Sequence, residues 1–158
     1  MTDVIANLHF LNALLVLAIG TITGIWGLIL YFFVLKKSAP AVATVEGSEQ
    51  TAKPGKPAVI ETPGAYKIWR VALIITAIDG LLQALLGLTL LALGQRPGTG
   101  TGLYYLHYVY GAIVALAIPV AVTYATSGKH VRRDLLIFSI AALILVAAGV
   151  RGLMTGPH

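Results

Sequence analysis

Four long stretches with almost no charge constrain this chain more than any other feature of its sequence. They cover residues 10–35, 71–94, 103–127 and 135–154. Within them, charged side chains occur only at Asp79 and Arg151. At about 1.5 Å rise per residue, each stretch is long enough as a helix to cross about 30 Å of hydrocarbon. Lipid cannot satisfy exposed backbone groups and the polarity does not alternate, so the sequence predicts an all-α integral membrane four-helix bundle in one domain.

The composition narrows the classes of partner and cofactor site. The chain has 158 residues, of which 58% are hydrophobic and 11% are charged. Its net charge of +5 comes from basic residues beside the apolar stretches, which favours membrane topology and a lipid bilayer as partner over nucleic-acid binding. There is no cysteine, which excludes disulfides, thiolate metal sites, iron–sulfur clusters and haem attachment through thioether bonds.

The distribution of basic residues predicts an orientation. Lys36–Lys37 follows the first stretch, and Arg132 and Arg133 lie between the third and fourth, whereas the other connection and the N-terminus carry little positive charge. Because basic loops stay in the cytoplasm, we expect both termini to lie outside a bacterial or archaeal inner (cytoplasmic) membrane. Tyr66 and Trp69 are then expected among the aromatic residues of the inner interface.

The connection between the first two spans, residues 36–66, differs in composition from the rest of the chain. It is rich in Pro, Gly, Ala, Thr and Glu and has no apolar period. The sequence therefore predicts a mobile cytoplasmic loop, which serves either as a tether or as a docking segment for a partner protein.

Two histidines stand at the head of stripes of small residues. His9 is followed one turn later by Ala13, and His107 by Gly111. The stripes indicate either close helix packing or a slot for a flat macrocycle whose metal is ligated by two imidazoles. The first and third spans run in the same direction, so both histidines are expected near the outer face, at levels differing by roughly 7 Å. Neutral imidazoles are suitable axial ligands of haem iron.

Three further polar residues belong to the candidate site or lie near it. Arg151, near the outer end of the fourth span, is suited either to a haem propionate or to the lipid headgroups. Asp79 lies near the middle of the second span, on the same face as Gln83. A carboxylate there is either protonated or paired, which indicates proton handling or a hydrogen bond to Gln83 or a threonine.

Two segments resemble the heme A synthase family. The segment "LLQALLGLTLLALGQRPGTGTGLYYLHYVYGAIVALA", residues 81–117, is similar to its Gln-x-x-x-Gly helix, loop and histidine-bearing helix. The segment "GVRGLMTG", residues 149–156, is similar to its Gly-x-x-Arg-x-Thr-Gly segment. The chain also resembles four-helix b-type cytochromes. The resemblance implies one haem b between His9 and His107, with Arg151 close to it. That family has two four-helix halves and a Glu on its ligand helix, which this chain lacks, so farnesyl-haem oxidation does not follow.

These observations lead to one expected function and two rivals. We expect a b-type haem protein for electron transfer, as a subunit of a larger respiratory or photosynthetic redox complex rather than a stand-alone enzyme. The expected haem-binding residues are His9, His107, Arg151, Gly111 and Ala13. The main rival is a cofactor-free accessory or assembly subunit that packs through the same small-residue faces. The third interpretation is a small transporter that uses the buried carboxylate of the second span.

Overall fold

The described residues of the protein, in a computed structural model, form long helices. They comprise residues 2–34, 64–97, 104–126 and 130–156. The helices are α1 (Thr2–Ile29, continued by a π-helical turn Leu30–Val34), α2 (Gly64–Ala92), α3 (Tyr104–Tyr124) and α4 (Val131–Met154). Each of the four is long and apolar enough to cross a membrane, which confirms the prediction of an all-α protein with four candidate spans.

Three helices begin earlier than the apolar stretches suggest, among them α4, which begins at Val131 rather than at residue 135. α1 begins at Thr2 rather than at residue 10, with Asp3 in its first turn, where a negative charge favours the helix dipole. α2 begins at Gly64 and already contains the last residues of the predicted loop. Charged residues at a span's end leave the helix intact because their side chains reach out of the apolar layer. The rest of that predicted loop, residues 36–63, lies outside the described residues.

The four helices pack as a ring in the order of the chain. α1 contacts α2 and α4, and α3 contacts α2 and α4, so that α1 and α3 lie diagonally across the bundle. The N-terminal ends of α1 and α3 and the C-terminal ends of α2 and α4 meet at one end, which we call the histidine end. The opposite end, where α4 begins with the buried Asp134, is called the Asp134 end.

The outer surface of the ring is apolar, as expected for helices in lipid. Large aliphatic side chains such as Ile22, Leu85 and Leu88 are more than half exposed. The interior combines small residues with buried hydroxyl groups. Thr23, Thr76 and Ser139 are fully buried, and the hydroxyl oxygens of the two threonines lie 3.0 Å apart. The bundle is thus held by close packing and internal hydrogen bonds, since lipid gives helices little hydrophobic reason to associate.

The stripe of glycines on α1 makes the closest approach in the interior. Gly20, Gly24 and Gly27 are all buried. A Cβ at Gly27 would overlap Ser139 Oγ of α4 and lie 2.7 Å from Trp69 Nε1 of α2. Only glycine fits here, because two neighbouring helices place polar side-chain atoms directly against its Cα.

The aromatic residues at the start of α2 lie in the interior rather than at a lipid interface. Trp69 is fully buried and donates from Nε1 to the Thr23 carbonyl oxygen at 2.9 Å. Tyr66 is 7% exposed and stacks on Trp69, with 5.8 Å between ring centroids. Both residues lie near the start of α2, the end expected from the sequence, with their rings turned into the bundle. The rings fill space that the small residues of α1 leave open.

Candidate functional site

His9 of α1 and His107 of α3 meet across the diagonal of the bundle at the histidine end. Their ring centroids are 6.2 Å apart, with 55° between the ring planes. Both side chains are half-buried. The sequence predicted that the two histidines lie at levels differing by roughly 7 Å along the bundle. In the structure the two imidazoles still meet, because α1 begins at Thr2 and His9 lies well inside that helix.

The hydrogen bond of His107 fixes its tautomer. Its Nδ1 lies 3.0 Å from the Gly152 carbonyl oxygen of α4, and 3.5 Å from the Thr155 hydroxyl. A carbonyl oxygen only accepts, so Nδ1 carries the proton and donates it to Gly152. In a neutral imidazole the other nitrogen, Nε2, then has an available lone pair. Histidines that ligate a metal are commonly oriented by such a bond from the second ring nitrogen.

His9 is held by the side-chain amide of Gln83. The Gln83 Nε2 lies 3.2 Å from His9 Nδ1 and 3.3 Å from His9 Nε2. The two ring nitrogens are about 2.2 Å apart and their lone pairs diverge in the ring plane. A donor nearly equidistant from both therefore lies over the ring rather than in line with either lone pair. Gln83 thus positions the imidazole and leaves the in-plane direction of each nitrogen open to another partner.

Asn12 connects this pair to the interior of the bundle. Its Nδ2 donates to Gln83 Oε1 at 2.9 Å and to the Asp79 backbone carbonyl at 3.3 Å. Asn12 was not among the residues chosen from the sequence. The available signal was its spacing, because it lies three residues after His9 and hence on the same helix face of an otherwise apolar span.

Small residues surround the two rings. A Cβ at Gly87 of α2 would lie 3.2 Å from His9 Cε1, and a Cβ at Gly156 would lie 3.8 Å from His107 Cε1. Gly111, one turn from His107, has no atom within 4 Å of where its Cβ would be. Ala13, one turn from His9, is half-buried. Glycines thus lie next to both rings, together with the Tyr108 ring, whose centroid is 6.4 Å from that of His107.

The two charged candidates lie apart from the pair. Arg151 is exposed on α4, and its guanidinium makes no hydrogen bond or ion pair within the described ranges. Asp79 is 7% exposed, and its Oδ2 has no hydrogen-bond partner among the described residues. The hydrogen bond from Asp79 to Gln83 or a threonine, one of the two alternatives open from the sequence, is not formed. The structure brings together His9, His107 and Gln83, while the role of Arg151 as a propionate partner stays a prediction.

His9 and His107 are the two candidate metal ligands that the structure brings together at the histidine end. In the part of the chain that the structure describes, no group of three or more His, Cys, Asp or Glu side chains converges on one position. A bare zinc ion needs at least three protein ligands. Haem iron needs only axial ligands, because the macrocycle supplies the other four positions.

The spacing of the two rings matches this requirement. Metal–imidazole bonds of about 2 Å, with about 1.1 Å from each nitrogen to its ring centre, place two axial imidazoles about 6 Å apart between centroids. The observed separation is 6.2 Å. The residues present therefore fit a bis-histidine haem.

Comparison with known proteins does not narrow the possible functions of the chain. No protein-family model, curated protein or solved structure matches the chain.

Proposed function

We propose that the protein binds one haem b between His9 and His107 and serves in electron transfer, as a subunit of a larger membrane redox complex. The observation that carries the proposal is the 6.2 Å separation of the two imidazoles on diagonal helices. When bound, haem b supplies one-electron chemistry through its iron. The described residues supply ligation, orientation and burial.

Each residue near the pair has a defined task in this proposal. The Gly152 carbonyl accepts a hydrogen bond from His107 Nδ1, which would leave Nε2 to hold the iron. Gln83 holds the His9 ring in place. Ala13 and Gly111 flank the ligands with minimal volume. Arg151, whose guanidinium has no protein partner within the described ranges, serves as a bidentate donor to a propionate.

The same proposal includes the position of the site in the membrane. Arg132 and Arg133 lie at the Asp134 end, and this end carries the cytoplasmic loops under the positive-inside rule. The histidine end and both termini then lie outside a bacterial or archaeal cytoplasmic membrane. Electrons accordingly enter or leave near the outer surface.

A reduced-minus-oxidised absorption spectrum of the protein purified from haem-replete membranes tests the proposal. The wild type is expected to show the α-band of a low-spin b-type haem, and His107→Ala and His9→Ala are each expected to lose it. The matched control is His130→Ala, since His130 is an exposed histidine at the opposite end. A wild type without an α-band, or a band unchanged in His107→Ala, contradicts the proposal.

A second candidate, a cofactor-free accessory subunit, is favoured by a specific observation. Both imidazoles already have partners inside the protein, Gln83 for His9 and Gly152 for His107. In that case the pair serves only to join the helices, α1 to α2 through Gln83 and α3 to α4 through Gly152. Wild-type protein that lacks haem but co-purifies in fixed ratio with other membrane subunits, and loses stability in His107→Ala, supports this candidate over the first.

A further inference from the structure

Asp79 is the one feature of the described interior that its own protein environment does not explain. Its side chain is 7% exposed, and Oδ2 is fully enclosed without a hydrogen-bond partner among the described residues. Burying an ionised carboxylate without a countercharge or hydrogen bonds is very costly. An acid kept at such a place therefore needs either a proton or a positive charge that arrives from outside the chain.

The polar neighbours of Asp79 lead to the histidine pair. The Asn12 amide bonds both to the Asp79 backbone carbonyl and to Gln83, which in turn contacts His9. Asp79 and Gln83 are one turn apart on α2, about 6 Å along the helix axis. A charge at the histidine pair thus acts on the carboxylate through a buried medium, in which salt screens little.

The polar groups on the other side of Asp79 bond to one another and to backbone carbonyls. Thr76 donates to the Ala72 carbonyl and shares a hydrogen bond with Thr23. Beyond them, Trp69 is fully buried and uses its Nε1–H on the Thr23 carbonyl. The hydrogen bonds that link the backbone of Asp79 to other polar side chains therefore run through Asn12 and Gln83 toward the histidine end.

Few titratable groups face this part of the interior. α1 contributes His9, and α3 contributes His107 and the half-buried Tyr110. α4 presents the apolar Leu145, which lies against Gly80 beside Asp79. No described cation lies in this region. Within the described ranges, the site between the two histidines is the candidate source of a positive charge for Asp79.

We propose that Asp79 is the redox-linked proton acceptor of this site, an inference that rests on the haem function proposed above. The Asp79 carboxylate would be ionised while a bound haem core carried one positive charge. It would bind one proton from water when an external one-electron donor supplied the electron that removes this charge. One electron and one proton would enter together, no bond in the protein would break, and the net charge of the interior would stay the same.

The test is the midpoint potential of the haem-loaded full-length protein as a function of pH, with dithionite as reductant. The wild type is expected to show a potential that falls by about 59 mV for each tenfold decrease in proton concentration, over the pH range in which uptake occurs. Asp79→Asn is expected to bind haem normally and to lose this slope, because its side chain is always neutral. Asp3→Asn is the matched control, since Asp3 is an exposed acid at the same end. A slope retained in Asp79→Asn, or absent from the wild type, overturns the proposal.

An infrared measurement separates this inference from the haem proposal itself. In haem-free His107→Ala protein, Asp79 has no countercharge and is expected to give the carbonyl stretch of a neutral carboxylic acid, lost on further substitution Asp79→Asn. In the haem-loaded protein, the same band is expected to appear on reduction and to be missing in Asp79→Asn. An α-band in the visible spectrum without these infrared changes leaves the haem proposal intact and refutes the role of Asp79. Wild-type protein without haem refutes both.

Discussion

Replacing Gly27 by alanine tests whether the bundle depends on contact between three helices at one point. A Cβ at this position would overlap Ser139 Oγ and approach Trp69 Nε1 to 2.7 Å. Neither atom can move without weakening a buried hydrogen bond. Ser139 Oγ donates to the Leu135 carbonyl at 2.6 Å, and Trp69 Nε1 donates to the Thr23 carbonyl at 2.9 Å.

The expected loss of stability follows from these contacts. Over-packing of a filled interior costs about 2 kcal/mol, and disturbing two buried hydrogen bonds costs about 1 kcal/mol each. Alanine has a better helix propensity than glycine, which offsets about 1 kcal/mol of this loss of stability. We therefore expect Gly27→Ala to lower the free energy of unfolding by about 3 kcal/mol.

The assay is unfolding by sodium dodecyl sulfate in mixed micelles, followed by circular dichroism. Gly64→Ala serves as the matched control, because a Cβ at Gly64 meets no atom within 4 Å. It is expected to leave the unfolding midpoint unchanged or slightly raised. The double variant Gly27→Ala/Ser139→Ala is expected to recover part of the loss, since the overlapping hydroxyl is gone.

Two results would refute this reasoning. The first is a Gly27→Ala protein as stable as Gly64→Ala, which would mean that α1 and α4 are not packed this closely. The second is strict additivity in the double variant, because residues in direct contact should show a coupling energy of roughly 0.5–3 kcal/mol.

Three further predictions concern other contacts. Gly87→Ala should displace the His9 ring, whose Cε1 lies 3.2 Å from the added Cβ, and broaden or shift the haem α-band without unfolding the bundle. Trp69→Phe should lower the unfolding free energy by about 1 kcal/mol through loss of the indole hydrogen bond to α1, measured in mixed micelles. Asp134→Ala removes the acceptor of both the Thr126 backbone N–H and its hydroxyl; it should cost about 1–3 kcal/mol and increase proteolysis between α3 and α4.

The fold was largely predictable because the bilayer imposes it. Four apolar stretches of sufficient length allow only helices, and the structure has four. Their ends were less predictable, since α1 and α2 extend beyond the apolar stretches to Thr2 and Gly64. Hydropathy marks where a chain contacts hydrocarbon, whereas helix ends depend on backbone hydrogen bonds that continue into the polar layer.

The candidate site was predictable only in part. The pairing of His9 with His107 follows from helix direction and from the small residues one turn away. The roles of Asn12, Gly152 and Gly156 do not, because they depend on the rotation of each helix about its axis. That rotation is decided by packing of α1 against α4, where the glycine stripe and Ser139 meet. A hydropathy pattern records which residues face lipid but not which interior side chains touch.

The ring order of the helices has a consequence for how the protein is made. During synthesis α1 enters the membrane long before α3. The two histidines are therefore separated until α3 has been inserted and lies diagonally across the bundle from α1. Even then the His107 ring is not fixed, because the carbonyl that holds it belongs to Gly152, near the end of α4. The paired arrangement is therefore completed only after α4 has emerged from the ribosome. A chain that stops before α4 would carry both histidines and still lack the bond that fixes the second of them.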